Sequence, residues 1–317
     1  MTDYSCSLLS CATDDDQVFG MEDYAGGVAK WCPGCGDHAV LTAVERLLEA
    51  EQLPPERTMF GSGIGCSSRF PHYLHTYGFH GLHGRALPVA TGIRLRRPDL
   101  HIFVVMGDGD CCSIGAAHWV HTTRYNPKMV AIMLDNGVYG LTKNQTSPTS
   151  PQGHASNTQP RGAYLPPINP LSVTLGVTNA SFVAQTGDWV PAHLLATLRA
   201  AYHHHGFAFV RILQRCPQYT DDLFKEVMRS PDLVELLVHP DGVTVPELAS
   251  LYKNRRPHDP SNLHEARRLA EPDGKVRLGV FYRNEDLPVY DEIRSVPVPT
   301  GAEKVALLNQ ELDRYAV

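Results

Sequence analysis

The sequence predicts an α/β fold, a parallel sheet with helices on both faces, followed by an extended C-terminal tail. Three observations lead there. Residues 101–106 and 129–134 are unbroken apolar runs of strand length, and strands that are apolar on both sides need cover on both sides. A helical stretch at about 113–125 separates them, which is the length of a crossover between parallel strands. The same strand–helix–strand rhythm returns between 181 and 213.

The elements follow in order. Residues 1–25 read as a flexible arm. From 37 to 53, Val40, Leu41, Val44, Leu47 and Leu48 recur at helical spacing until Pro54-Pro55 stops them. Residues 58–64 form a short strand ending in Gly-Ser-Gly-Ile-Gly, and 84–97 a helix packed closely on the sheet. The strand at 101–106 ends in Gly107-Asp108-Gly109-Asp110, and the strand at 129–134 in Asp135-Asn136-Gly137. A Pro/Gly-rich stretch at 144–170 is long enough to suggest a lid or a subunit contact. A short helix at 171–177 and a strand at 181–185 come next. Asp188 is positioned to cap a helix whose apolar face holds Leu194, Leu195, Leu198, Ala201 and Tyr202. A strand at 207–213 closes the pattern. Beyond Cys216 the rhythm fails: 217–317 is Pro-rich and charged, with one strand-like run at 276–282 and a terminal amphipathic helix bearing Val305, Leu308 and Leu312.

Composition removes several functions. The chain has 317 residues, 43% hydrophobic and 20% charged, within the range of soluble globular proteins. A net charge of -6 offers no basic field for nucleic acid. No run approaches the ~18 apolar residues of a membrane span. The N-terminal segment lacks the cationic start of a secretory signal, so a cytoplasmic location is expected.

Reduced thiols are then the rule, and the eight cysteines (6, 11, 32, 35, 66, 111, 112 and 216) suggest metal binding or reactivity rather than disulfides. Cys32 and Cys35 flank a Pro-Gly turn that lets both sulfurs face one metal. A redox pair, a zinc ribbon and an iron–sulfur centre all remain open on spacing alone. Cys111 and Cys112 read as small buried side chains at a helix start, and Cys6 and Cys11 as free thiols of the arm.

Asp108 and Asn136 follow two strands joined by one crossover. Ligands of open α/β sheets bind beyond such strand ends. A carboxylate and an amide oxygen suit Mg²⁺, which keeps phosphate oxygens in its shell, so the implied ligand is a diphosphate. Gly107 and Gly109 let backbone amides approach it.

Gly107-Asp108-Gly109 followed by Asn136 resembles the thiamine diphosphate motif. The wider strings WCPGCG (31–36), GIGCSSR (63–69), YGFHGLHGRALPVATGI (77–93), GDGD (107–110) and DNGVYGLTKNQTSPTS (135–150) resemble the beta subunit of 2-oxoacid:ferredoxin oxidoreductases over roughly 26–220. That resemblance implies a thiamine diphosphate-binding domain of the pyrophosphate type. Mg²⁺ would be held by Asp108, Asn136 and the Val138 carbonyl. A 4Fe-4S cluster would be held by Cys32, Cys35, Cys66 and Cys216. Ile64, Gly65, Cys66, Ser67, Gly109, Asp110, Gly140 and Leu141 would contact the thiamine cofactor. Residues 26–220 then form the thiamine diphosphate and iron–sulfur domain, and 221–317 a C-terminal extension or subunit contact.

The implied activity is reversible oxidative decarboxylation of a 2-oxoacid with coenzyme A, giving acyl-CoA and CO₂ and passing electrons through the cluster to ferredoxin. The Glu that activates the aminopyrimidine ring has no second thiamine-type domain here to carry it. The family places it on an alpha (or fused alpha/gamma) subunit, implying a dimer of alpha–beta heterodimers, inactive without the partner. His83 is the candidate for proton handling, and Lys143 for a substrate carboxylate. The string LTKNQTSPTS resembles the 2-oxoglutarate enzymes more than the pyruvate enzymes. A pyruvate or broad-range enzyme, or a thiamine-dependent lyase without redox chemistry, are the alternatives. The His203-His204-His205 run at a helix end reads as favouring the negative end of the helix dipole when protonated.

Overall fold

The computed structural model describes residues 17–294 and 299–315. Its strands are β1 (Thr58–Ser62), β2 (Tyr77–His80), β3 (His101–Gly107), β4 (Met129–Asp135), β5 (Phe182–Gly187), β6 (Phe207–Leu213), β7 (Val234–Val238), β8 (Arg255–Pro257) and β9 (Val276–Arg283). Its helices are α1 (Met21–Tyr24), α2 (Asp37–Ala50), α3 (Ala86–Arg96), α4 (Ala116–Tyr125), α5 (Pro170–Gly176), α6 (Pro191–His203), α7 (Lys225–Arg229), α8 (Leu263–Ala270), α9 (Tyr290–Ile293) and α10 (Gly301–Asp313). The strands make one sheet in the order β2-β1-β3-β4-β6-β5-β9-β7-β8. β1 to β6 are all parallel. β9 runs antiparallel to β5, and β7 and β8 follow the direction of β9.

The two faces explain the apolar runs. Phe103 and Val105 of β3, with Val130 and Ile132 of β4, pack beneath α2 and α6. The alternate residues Ile102, Val104, Met106, Ala131 and Met133 pack beneath α3, α4, α5 and α8. Each fully buried side chain of this size contributes about 1.5–3 kcal/mol. That is why the interior positions of both strands, 102–106 and 129–134, are all apolar.

Three expectations need correction. Residues 17–25, read as part of a flexible arm, are fastened to α2: Tyr24 is fully buried and its hydroxyl donates to the Leu48 carbonyl at 3.0 Å. Residues 1–16, with Cys6 and Cys11, lie outside the described residues. Asp188 does not cap α6, which begins on Val190 with Pro191 at its first position. The Asp188 carboxylate instead accepts from the backbone N–H of Arg215 (2.8 Å) and its guanidinium (2.7 Å), a charged partner that outcompetes a neutral amide. His204 is buried against Ser181, and burial pushes its pKa down to about 4, so it is neutral and adds nothing to the helix dipole.

The chain beyond residue 220 also does more than trail. β9 coincides with the strand-like run, but β7 and β8 join the same sheet through it. α10 forms with Thr300 and Glu303 as a reciprocal cap, and Val305, Leu308 and Leu312 are exposed on it.

Candidate active site

The parallel part of the sheet sets the site. Gly107 and Leu134 are register partners, so Asp108 and Asn136 leave adjacent strands side by side. A cavity of about 140 Å³ opens there. It brings together Ile64, Gly65, Cys66 and Ser67 after β1, residues 107–110 after β3, and Asn136, Val138, Gly140 and Leu141 after β4, with His83 at its edge. Tyr139 and Thr142 line it too, although the sequence did not single them out. Lys143 is absent from the lining. It sits exposed in a turn with φ of 68°, its N–H bonded to the Gly140 carbonyl. A larger cavity, about 230 Å³, lies at the opposite end of the sheet around Arg94, His101, Lys128 and Tyr202, away from the strand ends where parallel sheets bind ligands.

Asp108 is 2% exposed, and its Oδ2 accepts from Ser147 Oγ and Thr149 Oγ1, both at 2.5 Å. Thr149 Oγ1 also lies 2.7 Å from Asp135 Oδ1. Asp135 has its own counter-charge, the Arg211 guanidinium at 2.6 and 2.8 Å. Among the described residues no Lys, Arg or His pairs with Asp108. Burial, and then the charge of Asp135, push its pKa up to about 7. A buried carboxylate without a basic partner, beside the Asn136 amide, is a hard-oxygen donor set that fits a divalent cation. Ser147 and Thr149 come from the Pro/Gly-rich loop. Ser150 of the same loop donates to the Gly137 carbonyl at 2.6 Å, so this part of the loop is anchored on the strand ends.

Asp110 organises the opposite wall. Its Oδ1 accepts from the backbone N–H groups of Ile64 (3.2 Å) and Gly84 (2.6 Å) and faces His83 Nδ1 at 2.6 Å. Its Oδ2 is buried without a partner. Burial pushes the carboxyl up from its ordinary value, while the two amides and His83 pull it back. A Cβ on Gly109 would stand 2.0 Å from the Tyr139 ring, so the chain passes Tyr139 at a distance only glycine allows.

The cysteines form a second group. A Cβ on Gly140 would lie 3.6 Å from Cys66 Sγ and 4.0 Å from Cys216 Sγ. Burial pushes the Cys66 thiol up to about 12, with Asp37, Cys216 and Cys32 adding to the effect. Burial likewise raises Cys35, with Asp37 and Cys216 contributing. These mutual influences put all four sulfurs in one neighbourhood. Gly36 N–H donates to the Arg215 carbonyl (3.0 Å) and Trp31 Nε1 to the Cys66 carbonyl (2.7 Å), joining the three loops. Among the described residues, no three His, Cys, Asp or Glu side chains converge on one ion-sized point. Four thiols brought in by three loops are a donor set chemically suited to an iron–sulfur cluster. Cys35 and Cys66 would have to lose their protons to act as metal ligands. Cys111 and Cys112 are buried in the core under α3 and α4, and Cys112 Sγ lies 3.6 Å from Met133 Sδ.

Comparison with known proteins gives the following. The thiamine pyrophosphate enzyme C-terminal TPP-binding domain model matches residues 63–212. The 2-oxoglutarate oxidoreductase subunit KorB of Mycobacterium tuberculosis is 45% identical over 212 residues, 67% of this chain and 57% of that protein, so the chain matches little more than half that relative's length. The 2-oxoacid:ferredoxin oxidoreductase subunit beta of a Sulfolobus species is 38% identical over 267 residues, 83% of this chain and 84% of its own. A solved 2-oxoglutarate:ferredoxin oxidoreductase from Magnetococcus marinus, with 2-oxoglutarate, coenzyme A and succinyl-CoA bound, superposes with a TM-score of 0.77 at 35% identity, covering 93% of this chain and 97% of that one. No helix among the described residues is long and apolar enough to cross a membrane.

Proposed function

Because the chain belongs to the family of 2-oxoacid:ferredoxin oxidoreductase beta subunits, we propose that it is half of an enzyme that converts 2-oxoglutarate and coenzyme A to acyl-CoA and CO₂, reversibly, with electrons passing to ferredoxin. The observation that supports this best is the shared wall. Cys66 lines the Asp108–Asn136 cavity and also stands among the four sulfurs, so a two-electron donor and a one-electron acceptor would be neighbours. The choice of 2-oxoglutarate rests on the names of the Mycobacterium and Magnetococcus relatives.

When bound, thiamine diphosphate would supply the electron sink for loss of CO₂, Mg²⁺ would neutralise the diphosphate, and a 4Fe-4S cluster would accept electrons singly. The chain's own residues do the rest. Asp108, Asn136 and the Val138 carbonyl would hold the cation. Gly107 and Gly109 keep the backbone clear for phosphate oxygens. Asp110 orients His83 through Nδ1, leaving Nε2 as the atom able to hold or deliver a proton at the cavity edge. Ile64, Gly65, Ser67, Gly140 and Leu141 would enclose the cofactor ring. Cys32, Cys35, Cys66 and Cys216 would hold the cluster. Lys143, exposed at the rim, would meet a substrate carboxylate only as a partner closes over it.

Among the described residues no Glu lines the cavity, and the beta-subunit relatives support a site completed by an alpha or fused alpha/gamma subunit; the assembly proposed is a dimer of heterodimers in the cytoplasm. The test is anaerobic co-purification with that partner and viologen reduction across several 2-oxoacids with coenzyme A. Turnover fastest with 2-oxoglutarate is expected. Faster turnover of pyruvate overturns the substrate, and full activity of the isolated chain overturns the shared site.

A further inference from the structure

Gln214 follows the last residue of β6 and stands two residues before Cys216. It is 1% exposed. Its backbone N–H donates to the Asp135 carbonyl at 2.9 Å, next to Asn136. Its side-chain Nε2 lies 2.5 Å from the Arg215 carbonyl and 3.3 Å from Cys35 Sγ. The orientation is forced. Only the amide nitrogen can face a carbonyl oxygen at that distance, so the oxygen end is turned away. One amide hydrogen goes to Arg215, and the other is directed at the sulfur. The Arg215 carbonyl also receives the Gly36 N–H, which fixes the Cys35 loop against the same group.

A buried donor held by its backbone, its neighbour's carbonyl and the packing around it costs little entropy to maintain. It will act on whatever charge the sulfur carries. We infer that Gln214 tunes the electron-accepting centre, its amide N–H bonding to Cys35 Sγ and raising the centre's reduction potential. This rests on the reading of the four cysteines as cluster ligands. The reason is electrostatic: reduction adds one electron, much of whose charge appears on the sulfurs. An N–H donor therefore stabilises the reduced form more than the oxidised form. Gln214 is a positioning residue. It touches a ligand of the centre and not the reacting atoms.

The test uses the anaerobically purified complex with its partner subunit. Cys216→Ser identifies the signal: its loss marks the beta-chain cluster, whereas its persistence means the cysteine reading itself is wrong. With that signal identified, Gln214→Met keeps the bulk and removes the donor. In an electron paramagnetic resonance-monitored redox titration, the reduced-to-oxidised ratio at a fixed potential should fall about tenfold, which is ~59 mV for one electron. An intact cluster with unchanged potential overturns the inference. A second measurement needs no variant. With glutamine labelled by ¹⁵N at the side-chain amide, the reduced wild-type cluster should give a nitrogen coupling in pulsed resonance, and its absence overturns the bond. If the coupling is present but Gln214→Met cannot retain a cluster, the role is retention, and tuning is overturned.

Discussion

Asp108 and His193 show how burial of one ionisable group sets a measurable pH response. In the proposed function Asp108 holds a cation, so removing the carboxylate should remove cofactor binding. Asp108→Ala is expected to weaken thiamine diphosphate binding in the presence of Mg²⁺ by at least ~100-fold in calorimetry, with the cluster absorbance retained. Because burial and Asp135 raise the Asp108 carboxyl to about 7, a metal must displace a proton below that pH. Apparent Mg²⁺ affinity, titrated with thiamine diphosphate present, should fall about tenfold per pH unit between 7 and 5. His193 works in the other direction. It is buried between Thr186 and Thr197, and burial pushes its pKa down to about 4. The unfolded chain therefore binds the extra proton between pH 4 and about 6.5, so His193 makes stability rise with pH across that window, by up to about 3 kcal/mol. In His193→Phe that part of the slope should vanish, as read from urea midpoints at pH 4.5 and 7.

Elements differ in how much of them can be read from local pattern. β3 and β4 are legible because both faces are buried, and their terminal Gly-Asp-Gly and Asp-Asn-Gly follow at once. β7 is a five-residue run and β8 is Arg-Arg-Pro; they pair with each other, and only β7's contact with the later β9 ties them to the rest of the sheet. Ser147 and Thr149 sit in a loop with no periodicity, so nothing local announces that they bond Asp108. Asp188 had the look of a helix cap but was taken by Arg215, a partner 27 residues away. That exchange matters for the loop carrying Cys35. A Cβ on Gly36 would stand 1.6 Å from Asp188 Oδ2. Gly36→Ala should open the Asp188–Arg215 pair and lose the cluster while far-ultraviolet circular dichroism stays unchanged. Helices follow the same logic. Leu198 of α6 is fully buried, and Leu198→Ala should cost 2–5 kcal/mol, whereas Leu308→Ser in exposed α10 should stay within about 0.5 kcal/mol in denaturant melts of the isolated chain.

At the scale of the whole molecule, the parallel strands gather every proposed ligand at one end of the sheet. The antiparallel β9 sends the chain the other way: after it, Asp291 accepts from Arg94 and from the backbone of Lys128, at the opposite end. The last strand in sequence is also an interior strand in space, with β5 on one side and β7 on the other. During synthesis the six parallel strands can pair before the C-terminal third is made, β5 waiting only for β6. β7 and β8, made earlier than β9, can pair with each other but reach the rest of the sheet only once β9 exists. β7 and β8 therefore reach the sheet through a strand translated after them, and a nascent chain halted near residue 260 exposes β5 as an open edge whose partner strand has not yet been made.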